Sequence, residues 1–272
     1  MTLALTIAHL YPNQLNLYGD TGNLIALKRR CGWLGIDYQI VPLDLGDRIV
    51  PGQTDLYFMG GGQDKDQLAV IDDFHQLKHS TIQADTETGV VFLGVCGGYQ
   101  LMGNTFLMGD GEVTRGLGVI NVETQAPGPD VKERCTGHLI VELMPEIYRE
   151  LQTIYPAGQS DRAILNTLVG FENHSGQTFL GPEVKPLART LAGFGNNASA
   201  QYEGARYRNI FGSYLHGALL PRNPHFADYL IWLALVRKYQ DPDLKLKPLP
   251  DREERSAHAY FVRRYGKAKA QK

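Results

Sequence analysis

Apolar positions run unbroken from Val90 to Val95 and stop at Cys96, with glycines on either side: Gly94-Val95-Cys96-Gly97-Gly98-Tyr99-Gln100. A continuous, largely β-branched run predicts a parallel strand covered on both faces, because a half-exposed strand would alternate apolar with polar residues. Other runs predict further strands at Thr2 to Leu10, Tyr38 to Leu43, Asp55 to Met59, Gly116 to Ile120, Leu139 to Leu143, Leu168 to Glu172, and Asn209 up to His216. Helical segments are expected from Asp20 or Thr21 to Leu34, from about Lys65 to Ala84, and from Phe226 to Lys238. The early order of strand, helix, strand, strand predicts an α/β fold built on an open, mostly parallel sheet with helices on both faces.

The stretches between these elements read as surface. Thr124 to Glu133 is a polar loop with two prolines, Tyr148 to Ser160 an expected surface insertion, and Gly193 to Asn197 a turn. With 272 residues, 43% of them hydrophobic, the chain can bury a full core, and residues 1–240 are expected to form one domain. From residue 241 the composition shifts to Pro, Lys and Asp, and Arg263 to Lys272 holds five basic residues and no acid. Residues 241–272 are therefore expected as a solvated basic tail, with a partner-docking helix over Arg252 to Tyr265 as the alternative.

A net charge of −2 provides no nucleic-acid footprint. The three cysteines, Cys31, Cys96 and Cys135, have neither disulfide-framework nor zinc-site spacing. The N-terminus lacks the basic leader of an export signal, and the apolar stretch near Phe226 is too short to span a bilayer. These features predict a cytoplasmic protein with no direct membrane insertion.

The candidate chemistry sits where apolar runs end. A cysteine flanked by glycines at a strand-to-helix turn is a nucleophile elbow, where the helix N-terminus favours the thiolate; a merely buried cysteine beside a turn is the alternative. His216 ends its own run before Gly217, so it meets Cys96 if the two strands are parallel neighbours. Gly60-Gly61-Gly62 follows the Asp55 to Met59 strand and offers consecutive amides for an oxyanion hole with Gly97; a tight turn explains the glycines equally well. Asp20 and Thr21 read as helix caps. Arg134, at the start of a strand, is placed either to grip a carboxylate or simply to be solvated.

An elbow cysteine, an upstream glycine loop and a downstream strand-end histidine, in that order, resemble the class I glutamine amidotransferases, whose fold is flavodoxin-like. Asn16-Leu17-Tyr18-Gly19-Asp20-Thr21-Gly22-Asn23, Met59 to Asp64, Cys96 to Gln100, Gly170 to His174 and Tyr214 to Gly217 narrow the resemblance to the cobyric-acid-synthase-like branch. Within it they resemble the GatD group, the glutaminase subunits of lipid II isoglutaminyl synthases. That resemblance implies Cys96 as nucleophile, His216 as proton carrier, amides of Gly61, Gly62 and Gly97 on the oxyanion, and Arg134, Gln100 and Asn173 around L-glutamine. It further implies a heterodimer with a MurT-like subunit of the Mur-ligase family, which amidates lipid II. ATP and Mg belong to that partner, and no cofactor is expected on this chain. The acid often found two residues after the histidine is here Ala218, leaving Glu172, Asp228 or no residue as the third member. Amidation of a corrinoid and a non-catalytic scaffold remain the competing readings.

Overall fold

The apolar runs assemble into a six-stranded sheet in the computed structural model, which describes residues 2–107, 112–126, 134–157, 164–199 and 201–266. The chain opens with β1 (Ala4–Leu10), α1 (Thr21–Leu34), β2 (Asp37–Leu43) and β3 (Leu56–Met59). Next come α2 (Asp64–Asp73), α3 (His79–Glu87), β4 (Val91–Val95) and α4 (Gly97–Met102). The middle of the chain supplies β5 (Thr105–Leu107), β6 (Val113–Arg115), β7 (Val122–Gln125), β8 (Cys135–Leu143), α5 (Pro145–Gln152) and β9 (Thr167–His174). It continues through β10 (Gln177–Leu180), β11 (Ala188–Ala192) and β12 (Tyr202–Glu203). The chain then returns to the first sheet as β13 (Ala205–Tyr207) and β14 (Ile210–Ser213), and closes with α6 (Leu219–Arg222), α7 (Pro224–Tyr239) and α8 (Arg252–Tyr265).

The sheet order is β13-β14-β4-β3-β1-β2, parallel throughout except for β13. Every residue of β3 and β4 is buried, as the unbroken apolar runs require. In such a sheet ligands bind beyond the carboxyl ends of the strands. Gly60 follows β3, Cys96 follows β4 and His216 lies three residues beyond β14, so all three reach that one edge. The outer edge is β2. Leu43 accepts from the Tyr11 amide and Asp37 donates to Leu3, so the odd positions face β1 and Pro42 turns its nitrogen outward.

Two four-stranded sheets, β10-β7-β5-β6 and β12-β11-β8-β9, lie outside the expected single sheet. The Leu139 and Leu168 runs pair antiparallel with each other in the second, with Thr136 opposite Asn173 and Cys135 opposite His174. That register carries Arg134 to Asn173. The expected strand over Gly116 to Ile120 does not form. Its amides bond instead to Asn104, Leu101, Gly103 and Met102, satisfying carbonyls at the end of α4.

The single helix expected over Lys65 to Ala84 is interrupted by a π-helical turn, Phe74–Lys78. The turn accompanies Lys78, which is fully buried, lies 4.9 Å from the Tyr11 ring, bonds to Asp73 and donates to the Asp44 carbonyl at 3.0 Å. The expected surface insertion is instead packed as far as residue 157: α5 and the turn after it bury Ile147, Leu151 and Ile154. Residues 127–133 of the expected polar loop, 158–160 of the insertion and 267–272 of the tail lie outside the described residues.

The tail, too, is built in as far as residue 266. Leu244, Leu246 and Leu249 are buried, and Phe261, Val262 and Tyr265 of α8 pack on Ile140, Val169 and Ala192. Arg30 of α1 locks it. Its guanidinium is paired with the fully buried Asp228 of α7 (Nη2–Oδ2 2.7 Å) and with Asp251 (Nη1–Oδ1 2.8 Å), ahead of α8. Burial pushes the Asp228 carboxyl up against the pull of Arg30 and the Tyr155 hydroxyl. Truncating Arg30 alone would leave that acid unpaired, which costs about 3–5 kcal/mol. Arg30→Leu should therefore lower stability to urea by that amount, and Arg30→Leu with Asp228→Leu should recover much of it. Equal stability of the single variant and wild type would refute the lock.

Candidate active site

Cys96 occupies a backbone conformation that only a constrained elbow holds, with φ 51° and ψ −109° at the N-cap of α4. Such a conformation costs on the order of 1–3 kcal/mol and persists where the surroundings over-determine it. Here the Cys96 amide donates to Ser213 at 2.8 Å, and its carbonyl accepts from Gln100 at 2.9 Å. The following glycines are required by contact. A Cβ on Gly97 would lie 2.7 Å from the Gly62 nitrogen, and one on Gly98 2.6 Å from the Met59 carbonyl oxygen. The thiol, 6% exposed, opens into a cavity of about 560 Å³ lined also by Tyr18, Gly62, Gln67, Gln100, Arg134 and Asn173.

β14 pairs parallel with β4, Ser213 opposite Val95, which brings His216 to the strand edge that carries Cys96. Beyond β14 the histidine is pinned to β9, its amide donating to Phe171 at 2.8 Å and its ring stacked on the Phe171 ring. Nδ1 lies 3.4 Å from Oδ1 of Asp20, and both side chains are fully buried. Desolvation disfavours the charged ring, but the negative charge of Cys96 and the Asp20 carboxylate outweigh it and raise His216 to about 10. That charged ring goes with an ionised Cys96 and Asp20, and its proton is lost as pH rises through that value.

The acid beside the His216 ring is thus Asp20, and not the expected Glu172 or Asp228. Glu172 is engaged by the amides of Phe194 and Gly195, and Asp228 by Arg30 and Tyr155. The expected capping role falls elsewhere: Asp20 makes no side-chain cap bond, and Asn16 Oδ1 accepts from the Thr21 amide at 3.0 Å. Position in sequence hid this role, since Asp20 lies 196 residues before His216.

The glycine loop is divided in its use. Gly61 donates its amide to Asp20 Oδ2 at 2.7 Å, so it is not free for an oxyanion, contrary to expectation. Gly62, whose amide abuts Gly97, lines the cavity beside Cys96, leaving Gly62 and Gly97 as the candidate donor pair. Gln100 is held at the cavity wall, donating to the Tyr214 hydroxyl at 3.2 Å and accepting from Gln67 at 3.1 Å. Gln67, a helical residue with no motif around it, was invisible in the sequence. Across the cavity Arg134 donates to Asn173 Oδ1 at 3.0 Å and to its carbonyl at 3.3 Å. Among the described residues no cluster of His, Cys, Asp or Glu suits a metal ion, and no helix is long and apolar enough to cross a membrane.

Residues 6–224 match the model of the CobB/CobQ-like glutamine amidotransferase domain. The chain is 34% identical to the GatD subunit of lipid II isoglutaminyl synthase (glutamine-hydrolyzing) from Staphylococcus aureus, over 86% of each chain. It is 36% identical to the subunit of the same name from Streptococcus pneumoniae, over 91% of this chain and 86% of that one. A probable cobyric acid synthase from Methanothermobacter thermautotrophicus is 31% identical over 58% of this chain but 29% of its own length. Among solved structures, a glutamine amidotransferase from Thermotoga maritima shares the fold with a TM-score of 0.50 at 15% identity, covering 87% of this chain and 99% of its own.

Asp20→Asn keeps the shape of the carboxylate and removes its charge. The His216 titration, followed by NMR of the imidazole, should move down from about 10 towards the ordinary 6.5, because one of the causes that raise it is gone. A midpoint unchanged in the variant would mean that Asp20 contributes nothing to the charge on the ring.

Proposed function

The chain belongs to the CobB/CobQ-like glutamine amidotransferase family, and from that membership we propose that it is the glutaminase subunit of a lipid II isoglutaminyl synthase. The observation that carries this reading is the reach of the similarity: the GatD subunits are matched over 86% of their length, the probable cobyric acid synthase over 29%. The elbow thiol and the Arg134 side chain around one cavity, with the buried His216 imidazole at the same strand edge as the thiol, support the same chemistry.

In the proposed reaction the Cys96 thiolate attacks the side-chain amide carbon of L-glutamine. The oxyanion that forms is taken by the amides of Gly62 and Gly97. His216, protonated beside Asp20, gives its proton to the departing nitrogen, and ammonia leaves with a glutamyl thioester on Cys96. Water then attacks the thioester while His216 takes up its proton, releasing glutamate and restoring the Cys96 thiolate beside a protonated His216. Arg134 binds the α-carboxylate as a fork, and Gln100 and Asn173 shape the pocket around the substrate.

Ammonia passes to a Mur-ligase-family partner of the MurT type in a cytoplasmic heterodimer. ATP and Mg on that partner activate the α-carboxyl of D-glutamate in the lipid II stem peptide, so this chain needs no cofactor of its own.

The test is release of glutamate and ammonia from L-glutamine by the purified chain, alone and with the Mur-ligase-like partner. Wild type should hydrolyse glutamine, and Cys96→Ala and His216→Ala should each fall by at least about 100-fold. No release from wild type with partner and ATP present would overturn the assignment. Transfer of the nitrogen to a corrinoid carboxylate and not to lipid II would retain the glutaminase and move the acceptor.

A further inference from the structure

The proposed mechanism has no use for Tyr18, although it lies within the most distinctive tract of the sequence, Asn16 to Asn23, and lines the cavity. Its backbone is left-handed, φ 54° and ψ 24°, which residues other than glycine seldom adopt. The neighbours hold it there. The Leu17 amide donates to Gly61 at 2.9 Å, Asn16 bonds to Thr21, and Asp20 bonds to Gly61 and His216. Strain enforced in this way next to a reacting pair points to a task for the side chain it aims.

The Tyr18 side chain has two working ends. Its ring stands edge-on to His216, centroids 5.1 Å apart at 79°, and edge-on to Phe171 at 5.7 Å, while Phe171 stacks on His216. Its hydroxyl accepts from Asn173 Nδ2 at 2.7 Å. The amide of Asn173 cannot turn over without loss, because its Oδ1 already accepts from Arg134 at 3.0 Å and from Thr136 at 3.3 Å. A contact chain thus runs from the guanidinium through Asn173 and Tyr18 to the imidazole.

We propose that Tyr18 is a positioning residue with two separable roles: its hydroxyl, through Asn173, orients Arg134 for the α-carboxylate, and its ring seats the His216 imidazole. This rests on the reading of the site as a glutamine pocket. The hydroxyl belongs to substrate binding and the ring to turnover, so a substitution that removes one end should leave the other's parameter in place.

Tyr18→Phe keeps the ring and removes the hydroxyl. Its KM for glutamine should rise roughly 3- to 10-fold, the scale of one hydrogen bond, with kcat within about twofold of wild type. In an Asn173→Ala background the same substitution should add almost nothing to KM, since the link is already cut. Tyr18→Leu removes both ends and should also lower kcat, between about 10- and 100-fold, and move the pH dependence of Cys96 alkylation, which Tyr18→Phe leaves in place. A Tyr18→Phe enzyme with wild-type KM, or one whose kcat falls as much as its KM rises, overturns the proposal. So does an Asn173→Ala background in which the full penalty persists. Thermal unfolding of each variant separates a collapsed loop from a lost contact, and if Tyr18→Leu does not fold, Tyr18→Phe alone decides. Failure of the glutaminase reading would appear as an inactive wild type with its partner. The alkylation profiles then decide the proposal, because a Tyr18→Leu profile identical to wild type also overturns it.

Discussion

One buried carboxylate, that of Asp20, ties together the parts of this site. One oxygen faces the His216 ring and the other accepts the Gly61 amide, so a single charge orients the histidine and holds the glycine loop where Gly62 meets Gly97. Neither partner comes from nearby in sequence. The acid precedes α1, the loop follows β3, and the histidine follows β14. A negative group without solvent is tolerable only with such partners, because desolvating an unpaired charge costs several kcal/mol. The charged imidazole and the acid are therefore each the reason the other can be buried.

What the sequence disclosed, and what it withheld, divides along this line. The elbow was legible because strand, cysteine and glycines are contiguous and each obeys a local rule: an apolar run for burial, glycine where Met59 and Gly62 crowd the backbone. The parallel neighbourhood of β4 and β14 stands in the sequence only as a condition for the cysteine and histidine to meet, and the fold fulfils it. Asp20 reads in the sequence as a cap, since the local chemistry of an acid before a helix is capping and only the tertiary fold sends it to a histidine 196 residues away. Gly61 was assigned to the oxyanion for the same reason: three consecutive glycines look equivalent until one of them is given a partner. The strand expected at Gly116 was lost to unmet carbonyls at the end of α4, a demand that no periodicity reveals.

The chain's end departs from its composition for a different reason. High charge and proline suggested a solvated tail, but Leu244, Leu246 and Leu249 are spaced to enter the core, and Arg30 meets Asp251 just before α8 begins. α8 in turn packs on β8 and β9, the antiparallel pair whose register brings Arg134 to Asn173. That strand pair is thus backed at Ile140 and Val169 by residues that composition alone would place in solvent. Burial of a few apolar side chains, each contributing about 1.5–3 kcal/mol, outweighs the average character of a charged segment.

Pro42 has a different consequence. It lies on the open rim of the six-stranded sheet with its nitrogen facing out, where any other residue would present an N–H to an approaching strand. An extended segment from another molecule, aligned along β2, would find a gap in the row of donors and the ring in its way. The opposite rim is occupied as well, since Lys185 bridges to Arg206 on β13. The broad parallel sheet that presents Cys96 and His216 at one edge is thereby kept from growing, strand by strand, into an aggregate.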